Sequence, residues 1–266
     1  MALKNLLVHL DNSHHATARL QLALELAKRH QARLTALTIV THPYYEPSHV
    51  DAEATTARMQ VEFSGIIAQS GVAAELLAVD WNVAGTSVAE VVNLFAHYAD
   101  LVIVGQTEPG SADPNTPADL PERLVLGSGR PVLVIPYTAS YREFGNRALV
   151  AWKSGREATR AVNDALPLLE KAAEVHVLVI NPEDPEKNEG ENLCTHLACH
   201  QIKAKAEQTS AADISIADVL LNRASVEGSD LLVMGAYAHT RLGTLTLGEV
   251  ARHILKHMTL PVLLSH

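Results

Sequence analysis

The sequence predicts an α/β protein: two doubly wound, five-stranded parallel-sheet units in pseudo-twofold tandem. Three observations predict it. Strand and helix signals alternate along the whole chain, the pattern of parallel sheets covered on both faces. The strand segments are nearly continuous apolar runs, as burial on both faces demands. The pattern also occurs twice. Asp100-Leu-Val-Ile-Val-Gly105 matches Asp230-Leu-Leu-Val-Met-Gly235, and Pro131-Val-Leu-Val-Ile135 matches Pro261-Val-Leu-Leu264, each pair 130 positions apart. The starts match loosely as well, Leu7-Val8 leading to Ala16-Thr17-Ala18-Arg19 and Leu149-Val150 to Ala158-Thr159-Arg160.

In the first half, Leu6–Leu10 reads as a strand, and Ala16, Leu20, Ala23, Leu24 and Ala27 then fall at helical spacing. Ser13 is the expected N-cap of that helix. Leu34–Val40 is the second strand, and the helix Ala52–Gln69 stops at Ser70-Gly71. Ala73–Val79, the helix Val88–His97, Leu101–Val104, the short helix Leu120–Leu126 and Val132–Ile135 complete the half. The second half offers strands at Ala148–Trp152, Val175–Ile180, Ile202–Ala206, Leu231–Met234 and Val262–Leu264. Its helices fall near Glu157–Ala172, Asn192–His200, Ile216–Ala224 and Leu247–His257, with Pro167 ending or kinking the first. Asn181–Glu191, rich in proline and acid, reads as a solvated loop. Tyr137–Asn146 links the halves, giving domains at 1–137 and 147–266.

Composition narrows the functional classes. With 47% apolar and 19% charged residues among 266, the chain has the makings of an ordinary buried core. A net charge of −9 argues against a nucleic-acid binder, whose phosphate contacts need Lys and Arg. No apolar run approaches a membrane span, and Met1–Leu10 reads as a first strand with no signal-peptide pattern. Two cysteines, Cys194 and Cys199, cannot make a disulfide framework, which favours the cytoplasm. The chain has no Gly-x-Ser-x-Gly elbow and no phosphate loop ending in Gly-Lys-Ser/Thr, so no catalytic residues are assigned. Cys194-Thr-His196-Leu-Ala-Cys199-His200 contains zinc-type ligands, but no second pair stands at zinc-finger spacing. It reads as a helix with two partly buried thiols, and no metal is expected. His14-His15 lies beside Asp11 at the start of the first helix. Trp81 and Trp152 follow strands and read as packing residues, and Gly127-Ser-Gly-Arg130 as a turn, with a phosphate contact by Arg130 the alternative.

Ligands of open parallel sheets bind beyond the carboxyl ends of strands where the strand order reverses. That directs attention to the residues after the first and fourth strands of each half. After the fourth strand the second half reads Gly235-Ala-Tyr-Ala238-His239-Thr-Arg241-Leu-Gly-Thr-Leu-Thr-Leu-Gly248-Glu249, followed by a helix and Pro261-Val-Leu-Leu. This resembles the nucleotide loop of the universal stress protein family, Gly-x2-Gly-x9-Gly-Ser/Thr. Ala151-Trp152, Arg156-Glu157-Ala158 and the final Pro-Val-Leu-Leu-Ser-His resemble the family's tandem bacterial branch, so that the resemblance covers both halves.

The resemblance implies a Rossmann-like, adenine nucleotide alpha hydrolase-like fold, with Val132–Ile135 and Val262–Leu264 at an interface like that of the family's dimers. It implies a cytoplasmic stress-response or ligand-sensing protein, not an enzyme, with ATP or another adenine nucleotide held weakly or not at all. In such a loop, glycines let backbone approach phosphate, and the following helix start attracts anions. An Asp after the first strand grips the ribose. The first half keeps Asp11 and Gly105 but has Glu108, Asp113 and Asp119 where phosphate would sit, with Pro109, Pro114 and Pro117 among them. The second half keeps Gly235 and Gly248, with Ala238 for the middle glycine, Glu249 for the hydroxyl residue and Lys153 for the Asp. The expected nucleotide site is therefore Ala151, Trp152, Gly235, Ala238, His239, Gly248 and Glu249, with His239 and Arg241 able to face phosphate. Vestigial loops, with the glycines as turn residues, are the competing reading. An ATPase on the second loop and a metal or small-molecule module stand as alternatives, and a second copy of the chain, in a homodimer, as a partner.

Overall fold

The computed structural model describes residues 2–41, 49–81, 87–110, 117–138, 144–241 and 244–266. It divides into two compact units, Ala2–Arg130 and Pro131–His266. In the first, β1 (Asn5–Leu10), α1 (Ala16–His30), β2 (Arg33–Thr41), α2 (His49–Ser70), β3 (Ala74–Trp81), α3 (Val88–Ala96), β4 (Leu101–Gly105) and α4 (Leu120–Gly127) follow in order. The strands lie β3-β2-β1-β4, all parallel. The chain thus moves outward from β1 to β3, then returns to the other side of β1, which places the switch between β1 and β4. Leu6, Val102, Ile103 and Val104 are fully buried under helices, as the apolar runs required.

The second unit contains β5 (Val132–Ile135), β6 (Arg147–Trp152), α5 (Arg156–Leu169), β7 (Glu174–Ile180), α6 (Glu189–Cys199), β8 (Ala204–Thr209), α7 (Ile216–Glu227), β9 (Leu231–Gly235), β10 (Ala238–Arg241), β11 (Thr244–Leu247), α8 (Glu249–His257) and β12 (Val262–Ser265). Its sheet runs β5-β12-β9-β6-β7-β8. All neighbours are parallel except β5, which pairs antiparallel with β12, Leu133 opposite Leu263. The switch here falls between β6 and β9.

The aspartates that open the repeated motif have one job in both units. The Asp100 carboxylate accepts the Lys4 and Asn5 N–H groups at 2.7 and 2.9 Å, and Asp230 accepts those of Asn146 and Arg147 at 2.9 Å each. Each ties the start of the fourth strand to that of the first, satisfying edge amides that no strand reaches.

Several local expectations change. Ser13 does not cap α1; its hydroxyl and N–H both go to Asp11, and His15 holds the N-cap position without a side-chain bond. Of the two outcomes expected of Pro167, ending or kinking α5, the first does not occur: Pro167 lies inside the helix, which runs two residues further to Leu169. The loop expected over Asn181–Glu191 is shorter, because a 3-10 turn at Pro185–Lys187 leads into α6 from Glu189. β8 starts at Ala204, two residues late. The segment expected as one long loop, Gly235–Glu249, contains an antiparallel ribbon in which Ala238 pairs with Leu247 and His239 with Thr246.

Candidate functional site

In the first unit an internal ion pair lies at the carboxyl ends of β1 and β4. Asp11 is buried just beyond β1, and Arg19, equally buried on α1, meets it with Nη2 to Oδ1 at 2.8 Å. Arg19 Nε donates to the His9 carbonyl at 2.9 Å. Burial pushes the Asp11 carboxyl up, but Arg19, with the Ser13 hydroxyl, holds it well below the usual carboxylate range. A β-carbon on residue 105 would run into the Arg19 guanidinium, so Gly105 makes room for an internal ion pair. A carboxylate committed in this way has little left to offer a ribose. Of the acids expected against phosphate, Asp119 pairs with Arg123 at 2.7 Å and Glu108 lies 3.8 Å from His15 Nε2. Asp113 and Pro114 lie outside the described residues. The Arg130 guanidinium donates to the His97 carbonyl at 2.9 Å, anchoring the turn before β5.

The second unit holds a cleft of about 590 Å³ at the carboxyl ends of β6, β7 and β9 and the starts of α5 and α8. Ala151, Trp152, Gly235, Gly248 and Glu249 line it together, as do apolar side chains such as Ile180, Leu220 and Met234. Ala238 and His239 belong to the β10 strand of the ribbon. Both loop glycines have packing reasons. A β-carbon on residue 235 would come within 2.5 Å of Ala158 N and 2.6 Å of Glu157 C, because the first turn of α5 lies directly on the end of β9. At residue 248 it would meet the Tyr237 carbonyl oxygen at 3.2 Å, and the Gly248 N–H already donates to that oxygen at 2.8 Å. The amide best placed to receive phosphate is thus engaged. Carboxylates stand at both helix starts. Glu249 opens α8, and Glu157, in the first turn of α5, has a pKa lowered chiefly by its own backbone N–H and further by Arg156. Lys153, at the position where the resemblance expects an Asp, is 80% exposed and points towards Glu183 at 4.0 Å. Trp152 Nε1 is buried without a hydrogen-bond partner, and Trp152 also lines a second cavity of about 300 Å³ with Ser154, Asn163, Glu189 and His196.

The universal stress protein family model matches residues 2–136 and again 146–266. The chain belongs to the universal stress protein family. Two solved structures agree over the full length. A universal stress protein from Archaeoglobus fulgidus DSM 4304 aligns at 12% identity over 98% of this chain and 97% of that one, with a TM-score of 0.77. A functionally unknown protein from Pseudomonas aeruginosa PAO1 aligns at 17% identity over 99% and 92%, with a TM-score of 0.68. At such identities these likenesses establish the fold alone. No curated protein is significantly similar to the chain.

As a tandem universal stress protein, then, the chain carries the family loop in neither unit in complete form. No described helix is long and apolar enough to cross a membrane. The Cys194–His200 segment lies on and just after α6, with His196 and His200 edge to face at 5.0 Å and the Cys199 thiol donating to the Thr195 carbonyl. Among the described residues, the His, Cys, Asp and Glu side chains whose ligand atoms converge in a group of three are His14, His15 and Glu108. Burial and then the neighbouring His14 lower the His15 pKa, against Glu108, which raises it.

Three features that shape these sites escape a reading of the sequence. Arg19 lies three residues after Ala16 and four before Ala23, on the apolar stripe of α1, and an arginine on such a stripe signals a buried partner. The alternation Thr244-Leu245-Thr246-Leu247 is a strand signal inside the presumed loop. Glu108 stands in the sequence as a phosphate repellent, and nothing there links it to the two histidines almost a hundred residues earlier.

Proposed function

We propose that this chain is a cytoplasmic stress-response protein that senses a small molecule in the second-unit cleft and performs no covalent chemistry. The ligand class is an adenine nucleoside or nucleotide, bound weakly when phosphorylated. The observation that carries this reading is the cleft itself: about 590 Å³, at the strand-order switch, with largely apolar walls. That volume suits a nucleoside-sized ligand. Phosphate is served less well, since the Gly248 N–H is engaged and Glu157 and Glu249 stand at the helix starts. Each like-charge contact in a partly shielded site costs on the order of 1 kcal/mol.

Calorimetry with ATP and adenosine tests this. Adenosine is expected to bind at least as tightly as ATP to the native chain. The triple variant Lys153→Asp, Ala238→Gly, Glu249→Ser is expected to gain about tenfold for ATP, roughly 1.4 kcal/mol. Tight ATP binding by the native chain, steady phosphate release from it, or nucleotide seated against Asp11 and Gly105 would overturn the proposal.

A further inference from the structure

We infer that His14, His15 and Glu108 form a binding site for a divalent transition-metal ion, of the zinc and cobalt class, at the mouth of the first unit. The ligand atoms of the three side chains all lie within 4.8 Å of one another. His15 Nε2 and Glu108 Oε2 are 3.8 Å apart. Two ligands of a tetrahedral ion with bonds of about 2.0–2.1 Å stand roughly 3.3 Å apart, so rotamer adjustments of a few tenths of an ångström bring the pair into range. The His14 and His15 rings are already stacked at a slant, their centroids 3.7 Å apart.

The fold explains why these residues meet. β1 and β4 are neighbours in register, Leu6 opposite Leu101, so the segments that leave their carboxyl ends emerge side by side. The turn that carries the histidines is pinned from beneath. Ser13 gives both its N–H and its hydroxyl to Asp11, and Asp11 is held by Arg19. This is the kind of outer support that keeps metal ligands oriented. Pairing with Asp11 partly offsets the Arg19 charge beneath the histidines. Two imidazoles and one carboxylate suit zinc, cobalt or nickel better than magnesium or calcium, which prefer oxygen-only sets. His14 is exposed, which leaves an entry path and an open coordination position for water or an exogenous ligand. This site lies in the other unit from the nucleotide cleft and does not depend on that reading.

The test uses the full chain, stripped with chelator and freed of nucleotide. Cobalt is titrated by its visible d–d absorption and zinc by competition. One cobalt ion per chain is expected, displaced by one zinc. His14→Ala and Glu108→Gln are each expected to weaken binding at least about tenfold, with far-UV circular dichroism unchanged. His15→Ala is expected to do the same and is read only if it folds. The double variant His196→Ala, His200→Ala, on α6, is expected to bind cobalt as the native chain does. No saturable cobalt spectrum would overturn the site. Binding that survives both His14→Ala and Glu108→Gln, or that is lost in the α6 double variant, would overturn it equally.

Discussion

Replacing His9 with leucine is expected to remove about 2 kcal/mol of acid sensitivity from the first unit. His9 is fully buried on β1, in a strand whose other inward residues are aliphatic, and neither ring nitrogen has a hydrogen-bond partner. Burial lowers its pKa from 6.5 to about 4, with Asp11 opposing and Arg19 reinforcing the change. The sign follows from proton binding. Between those two values the unfolded chain binds a proton that the folded chain refuses. Stability is therefore complete above about pH 6.5, falls as the pH drops towards 4, and is level below that. A tenfold difference in proton affinity between the folded and unfolded chain is worth about 1.4 kcal/mol, so the full loss is about 3 kcal/mol, of which about 2 kcal/mol has appeared by about pH 5. Leucine keeps the apolar volume and leaves the backbone carbonyl of residue 9 free to accept from Arg19. Urea unfolding at about pH 7.5 and about pH 5, followed by Trp81 fluorescence in a Trp152→Phe background, reports on the unit that carries His9. The remaining histidines are common to both proteins and cancel in the comparison. If native and leucine forms lose equal stability between the two pH values, the buried imidazole is not the source of the acid sensitivity.

Two further outcomes are expected. Arg19→Met leaves Asp11 buried without its partner and should cost about 3–5 kcal/mol; the double change Asp11→Asn, Arg19→Met should recover most of it, as thermal melting will show. Gly235→Ala sets a β-carbon against backbone at 2.5 Å and should cost on the order of 1–3 kcal/mol, whereas Gly248→Ala, with its nearest contact at 3.2 Å, should cost less than about 1 kcal/mol. Equal melting temperatures for the two alanine variants would refute the packing account of Gly235.

Much of the candidate cleft was legible from the chain. Ala151, Trp152, Gly235, Ala238, His239, Gly248 and Glu249 were expected together; the first three with Gly248 and Glu249 line one cavity, and Ala238 and His239 stand on β10. Strand order alone leads to this result, because a switch point gathers the ends of the first and fourth strands of a unit whatever their side chains. What the loop does was less legible. The same glycines that suggest a phosphate cradle serve close packing of α5 on β9 and a turn closed by the Gly248–Tyr237 bond. Glycine records that space is short without recording what occupies it.

By itself, the sequence determined the order of the principal strands, their apolar burial and the internal repeat, but not the β10–β11 ribbon inside the second loop. These rest on periodicity and apolar runs, which act within a few residues and leave a local record. The tertiary structure alone decided the pairing of Asp11 with Arg19, the antiparallel match of β5 with β12, and the meeting of His14 and His15 with Glu108. Such contacts depend on which strands become neighbours and in what register. A side chain's type does not encode its distance from a residue that the fold brings back from far along the chain.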